Sequence, residues 1–201
     1  MGTGAELHVR LLQHTPDPDR AVAVAGRLCY APVSAADLQQ EMSDEDVAKL
    51  VRILVRSGHH SALEHATFSF AVDGVSRACT HQLVRHRVAS YNQQSQRYVN
   101  FGAADSFVVP PSISANAEAA AVFFKAMEDA RAAYDKLVEL GLGEGRTRES
   151  VQEDARFVLP NAAETRIVVT MNARELRHFF HVRCCNQARW EIRDLAWRMR
   201  G

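Results

Sequence analysis

At 201 residues the chain has room for one ordinary domain or two very small ones, and at that length it can bury a core without disulfide staples. Apolar residues at 47% and charged residues at 24% lie near the globular average, which excludes a disordered chain, a coiled-coil rod and a collagen-like repeat. The 24 Lys and Arg balance the 24 Asp and Glu, so the molecule offers no net positive field to a long polyanion, and general nucleic-acid binding is disfavoured.

Leu7 to Leu12 places Leu7, Val9 and Leu11 on one face and predicts a first strand. Asp17 caps a helix whose first residue is Pro18 and which runs to about Cys29. Ser43 and Asp46 have capping-box spacing, and Val47, Leu50, Val51, Leu54 and Val55 form one stripe that Gly58 stops. Ser61 and Glu64 suggest another capped turn; Phe68, Phe70 and Val72 then alternate as a second strand that Gly74 breaks. Val75 to Val84 predicts a helix leading into Arg85 to Asn100, a stretch too polar for a core element and therefore a surface or a site.

Phe107 to Val109, before two prolines, predicts a short strand, and Ser114 opens a long Ala-rich helix that ends near Gly141. Thr147 to about Leu159 is a further helix ended by Pro160, and Thr165 to Met171 a β-branched strand. Asn172 with Glu175 caps the next helix, and Gln187 to Met199 is the last. Strands separated by long helices, without a short βαβ period, predict a single α+β domain over residues 1–201, with helices packed on a small, mostly antiparallel sheet.

No apolar stretch reaches the roughly 18 to 20 residues of a membrane helix, and Met1 to His8 lacks a signal-peptide pattern, so a cytoplasmic protein is expected. Cys29, Cys79, Cys184 and Cys185 contain no C-x-x-C pair and read as reduced thiols. Cys184-Cys185 lie in a segment that reads as a helix packing Phe179, Phe180 and Val182, and buried thiols there are inert. His60 and Glu64, at i and i+4, could share a metal-binding face, but no third ligand has recognisable spacing, and no metal is predicted.

The chemistry concentrates in Arg85-His86-Arg87-x-x-Ser90-x-Asn92-x-x-Ser95-x-Arg97-Tyr98, nearly free of hydrophobic side chains. Such a segment is either a solvated face or a phosphate site, because guanidinium forks match phosphate oxygens two bonds at a time and crowded arginines repel one another without an anion. This pattern resembles the signature of flavin-dependent thymidylate synthase, and eight matched positions arise by chance in roughly one window in ten billion. The resemblance extends to Gly58-His59, Glu64-His65, Gln82, Ala155-Arg156-x-x-Leu159-Pro160, and Asn172-x-Arg174 through Arg183 to Glu191.

What the resemblance implies is a homotetramer with FAD held where subunits meet, making dTMP from dUMP and methylenetetrahydrofolate with NADPH as reductant. Carried over residue by residue, it puts Ser61, Arg85, His86, Arg87, Val88, Gln93, Asn172, Arg174 and His178 on FAD. It puts Gln82, Arg85, Gln93, Ser95, Gln96, Arg97, Arg156 and Arg183 on dUMP, with Arg183 the catalytic residue against the uracil ring. Relatives carry Asn or His at the position of His178 and Glu or Gln at that of Gln93. His59 and Tyr98 fall in the folate and nicotinamide pocket; His60 is the alternative to His59, and alignment through Glu64-His65 favours His59. The competing class is a non-catalytic nucleotide- or RNA-binding module using Arg85 to Tyr98, against which stand zero net charge and sparse aromatic interleaving.

Overall fold

Asp17 accepts the backbone N–H of Arg20 at 3.2 Å, and Pro18 brings a fixed φ and no orphan donor, so α1 (Pro18–Leu28) starts where the sequence predicts. This computed structural model describes residues 4–99 and 107–201; the first three residues of the Met1 to His8 stretch and Asn100 lie outside them. Ser43 likewise caps α3 (Asp44–Arg56) and Asn172 caps α8 (Ala173–Arg183), whose Glu175 N–H it receives at 2.9 Å. The remaining helices are α2 (Ala35–Glu41), α4 (Arg77–Leu83), α5 (Pro111–Ser114), α6 (Ala117–Gly143), α7 (Arg148–Ala155) and α9 (Trp190–Arg200). Short 3-10 turns cover His60–His65 and Arg156–Val158.

Four strands, β1 (His8–His14), β2 (Thr67–Ser76), β3 (Ala89–Gln93) and β4 (Glu164–Asn172), form one sheet in the order β1-β2-β4-β3. Thr15 N–H donates to Thr67 O at 2.9 Å while Glu6 lies against Gly74, and Arg77 N–H donates to Ala163 O at 3.0 Å while the Ser69 and Thr170 hydroxyls meet at 2.8 Å. Rising numbers on one strand meet falling numbers on the next, so these pairs are antiparallel.

The structure corrects several expectations. Gly74 does not break β2: it sits at φ +72 where a Cβ would come within 1.8 Å of Glu6 O, so the glycine admits the neighbouring backbone and the strand runs on to Ser76. The following helix therefore begins at Arg77, not Val75. The polar stretch contains β3, an edge strand whose residues alternate between half-buried and exposed, which a search for core hydrophobics overlooks. Helix α2 was not anticipated, although Ser34 and Asp37 make a full capping box. The long helix α6 is capped by Asn116 rather than opened by Ser114, which ends the separate turn α5. The turn at His60–His65 forms without a side-chain cap from Ser61 or Glu64, and Phe107 makes a single bridge to Ala163 rather than a strand.

The chain divides into two compact units. One comprises Met1–His8, Val72–Leu83 and Asn92–Ile167; its core joins Tyr134 and Val138 of α6 to Val151 and Ala155 of α7 and to Ala163. Helix α6 buries Met127, Tyr134 and Val138 on one side and leaves Val122, Leu137 and Leu140 exposed at 68%, 42% and 52%. The other comprises Val9–Ala71, Val84–Tyr91 and Val168–Gly201; its core joins Val22, Leu54, Ala62, Leu63 and Ala66, with Ala173 at the start of α8 packed on it. Among the described residues no helix is long and apolar enough to cross a membrane.

Candidate functional site

Within the unit carrying α8, the signature begins with an alternation: Arg85, Arg87 and Val88 are exposed while His86 is 6% exposed. Both ring nitrogens of His86 are engaged, Nδ1 with Glu175 Oε1 at 3.0 Å and Nε2 with Arg183 Nε at 3.0 Å. The Phe179 ring meets the imidazole edge-on at 4.9 Å, and the Tyr91 hydroxyl donates to the His86 carbonyl at 2.8 Å. Burial pushes the imidazole below its ordinary pKa; the Glu175 hydrogen bond opposes that shift, and the Arg183 charge reinforces it. Burial, helped by Glu175, likewise drives the Tyr91 phenol up. Arg183 is thus half-buried and fixed at Nε, so its Nη groups are the donors it can offer a ligand.

The same unit holds two cavities. One of about 560 Å³ is lined by Val88, Arg174 and His178 together with His60, Glu64, Glu175, Arg177 and His181. The second, of about 490 Å³, is lined by His59, Ser61 and Arg174 with Tyr30, Gly58, His60 and His65. Arg174 faces both from the first turn of α8 and pairs with Glu64, and Asn172 is occupied as the cap of that helix. Both volumes fall in the roughly 300 to 1,000 Å³ range of small-molecule sites. His59 lines the second cavity alone, whereas His60 lines both.

The unit carrying α6 and α7 gathers the other predicted residues. Arg97 Nη2 meets Glu149 Oε1 at 3.0 Å and Glu153 Oε2 at 3.3 Å, its N–H donates to Ser95 Oγ at 3.2 Å, and its guanidinium lies 5.5 Å from the centre of the exposed Tyr98 ring. Arg156 Nε donates to the Glu153 carbonyl at 3.1 Å, so one residue of α7 holds Arg97 by its side chain and Arg156 by its backbone. Arg97 Nε is buried with no hydrogen-bond partner among the described residues. Gln93 donates to Thr80 and Thr165 at 3.1 and 3.2 Å; Gln82 and Gln96 are half-buried.

Sequence reasoning missed Glu175 as a partner of His86, along with Arg177 and His181 and the clasp formed by Glu149 and Glu153. One signal was available: Glu149 and Glu153 are like charges at i and i+4 on α7, an arrangement that repels unless a cation from elsewhere sits between them. Cys184 is half-buried and Cys185 exposed, not buried as the sequence suggests; partial burial still raises the Cys184 thiol pKa against the opposing charge of Arg200. Among the described residues no group of three or more His, Cys, Asp or Glu side chains is placed to hold a metal.

A family model described as thymidylate synthase complementing protein matches residues 10–201. The chain is 54% identical to a flavin-dependent thymidylate synthase of Geobacter sulfurreducens, over 96% of this chain and 80% of that protein. It is 48% identical to one of Clostridium tetani, over 94% and 78%. Its fold is similar to that of the UMP/dUMP methylase PolB from Streptomyces cacaoi bound with 5-Br dUMP, with a TM-score of 0.81 and 28% identity over 98% of this chain and 89% of that one.

Proposed function

The chain belongs to the flavin-dependent thymidylate synthases, and from that premise we propose how its own residues carry out the reductive methylation of dUMP to dTMP. When bound, FAD reduced by NADPH supplies the hydride, and methylenetetrahydrofolate supplies the carbon. The protein's share is to hold these groups and to polarise the pyrimidine. Arg183 offers its Nη donors to the uracil ring and stabilises the negative charge that makes a ring carbon nucleophilic, with no enzyme nucleophile required. Gln82, Arg85, Gln93, Ser95, Gln96, Arg97 and Arg156 are assigned to the nucleotide.

The observation that carries this reading is the buried, unpartnered Nε of Arg97 at the end of the matched signature. Its fork is met by two half-exposed carboxylates, ion pairs worth about 0 to 1 kcal/mol, which a phosphate with its bidentate geometry displaces. The non-catalytic RNA-binding alternative is not favoured. The purified protein is expected to be yellow and to form dTMP from dUMP with methylenetetrahydrofolate and NADPH. A colourless protein that forms none under those conditions overturns the reading.

For FAD the donor set fits: Arg174, Arg177 and His178 line a cavity at the start of α8, where the helix dipole favours an anion. Arg85, Arg87 and Val88 are exposed, and Ser61 and His59 line the second cavity; by resemblance Ser61, Asn172 and Gln93 are assigned to the flavin and His59 and Tyr98 to folate and nicotinamide. The Arg174 pair with Glu64 is exposed and easily exchanged for phosphate. Arg174→Ala is therefore expected to leave the column with less than half the wild-type flavin content by absorbance; full retention would remove Arg174 from the cofactor set.

The family match over residues 10–201 supports treating the chain as one catalytic domain. We assign it to a homotetramer, in keeping with the family and with the apolar side chains that α6, Val88 and Phe157 leave exposed. Light scattering of the flavin-loaded protein is expected to give four chain masses. A single chain mass with stoichiometric flavin contradicts this.

A further inference from the structure

We propose that His86 is a positioning residue: anchored by Glu175, its imidazole holds the Arg183 guanidinium in the one orientation that presents its Nη donors to the pyrimidine. This rests on the reading of Arg183 as the catalytic residue. Arginine carries only donors, so the 3.0 Å contact between Arg183 Nε and His86 Nε2 requires Nε2 to be the acceptor. The ring proton then resides on Nδ1 and is donated to Glu175 Oε1, also at 3.0 Å. Each hydrogen bond fixes the tautomer that the other needs.

Glu175 and Arg183 stand on the same helix a little over two turns apart, so the imidazole is a cross-brace between two points of α8. Each part of the brace is itself held. Asn172 Oδ1 fixes the backbone of Glu175, Phe179 packs edge-on against the ring, and the Tyr91 hydroxyl fixes the carbonyl of His86. His86 and Glu175 are 6% and 8% exposed, so water does not compete for the bond between them. A free arginine side chain samples many rotamers; one tied at Nε keeps its planar fork at a set angle, and the cost of ordering it is met during folding rather than at substrate binding. With both ring nitrogens engaged inside the protein, the His86 side chain departs from the place on FAD that the resemblance implies and acts on the reaction through Arg183.

The test compares His86→Asn, His86→Gln, Glu175→Gln, Arg183→Ala and the His86→Asn/Arg183→Ala pair in the flavin-loaded enzyme. Asn can place an N–H where Nδ1 was but offers Arg183 no acceptor, and kcat for dTMP is expected to fall about a hundredfold. Flavin content and NADPH oxidation are expected to stay within about twofold of wild type. Gln can place an oxygen where Nε2 was and is expected to recover most of the loss. In the Arg183→Ala background His86→Asn is expected to cost nothing further, because the two residues act as one unit. Glu175→Gln keeps an oxygen for Nδ1–H and serves as the milder variant, expected to lower dTMP formation about tenfold, should His86→Asn fail to fold. Independently of turnover, 15N NMR of the imidazole is expected to show a protonated Nδ1 and a bare Nε2.

Loss of flavin from His86→Asn would make His86 a cofactor ligand and overturn the proposal, as would a further rate loss in the double variant or an Nε2-protonated tautomer. If Arg183→Ala loses dTMP formation while His86→Asn and Glu175→Gln keep it, the brace alone is wrong. If Arg183→Ala keeps its rate, the catalytic reading beneath it has failed.

Discussion

Arg183→Ala is expected to yield a folded, yellow protein that still oxidises NADPH and forms dTMP about a hundredfold to a thousandfold more slowly. A fixed donor aimed at developing charge is worth about 3 to 4 kcal/mol in a site closed to water. An arginine left on a helix surface would change stability by no more than about half a kcal/mol and leave turnover alone. The structure favours the larger effect: Arg183 is half-buried, and its Nε is spent on a buried imidazole, an arrangement that orients the rest of the guanidinium. Lysine lacks the planar fork and the second point of attachment, so Arg183→Lys is expected to rescue poorly. Measuring dTMP formation and NADPH oxidation side by side separates this role from cofactor loss; dTMP formed at near the wild-type rate by Arg183→Ala refutes it.

The second large effect concerns stability. Gly74→Ala is expected to lower the melting temperature by about 10 °C, equivalent to about 3 kcal/mol or more at roughly 2 to 4 °C per kcal/mol for a chain of this size. Two costs combine: a left-handed φ of +72, about 1 kcal/mol for a residue with a side chain, and a Cβ within 1.8 Å of Glu6 O and 2.6 Å of Glu6 C, which forces the neighbouring backbone away. Gly58 is the internal control, because its φ of +74 is similar and no other group lies within 4 Å of where a Cβ would sit. Gly58→Ala is therefore expected to carry only the conformational cost. Equal melting temperatures for the two variants would show that the close approach at Gly74 contributes nothing.

Gly74 also shows what sequence can disclose. The helix starts at Asp17-Pro18, Ser43 and Asn172 were legible because a cap is a contact over three residues, contained in the local string. Gly74 was misread as a breaker because its cause is Glu6, sixty-eight positions away and visible only once the strands pair. Strand β3 hid among polar residues because an edge strand needs few apolar side chains. The candidate site divides in the same way. The arginines and the signature were readable as residue types at fixed spacings. Their protein partners were not, since Glu149 lies 52 positions from Arg97, Glu175 lies 89 from His86, and Glu64 lies 110 from Arg174.

Helix α6 is 27 residues long, about 40 Å, and carries apolar side chains on opposite flanks, with Tyr134 and Val138 inside and Val122, Leu137 and Leu140 facing out. If a second copy covers the outer flank, the native state is linked to association, and its free energy acquires a term in the logarithm of protein concentration. Stability then becomes a property of abundance as well as of sequence. Each tenfold dilution removes a fixed increment from the assembled state, and thymidylate output falls faster than the number of chains.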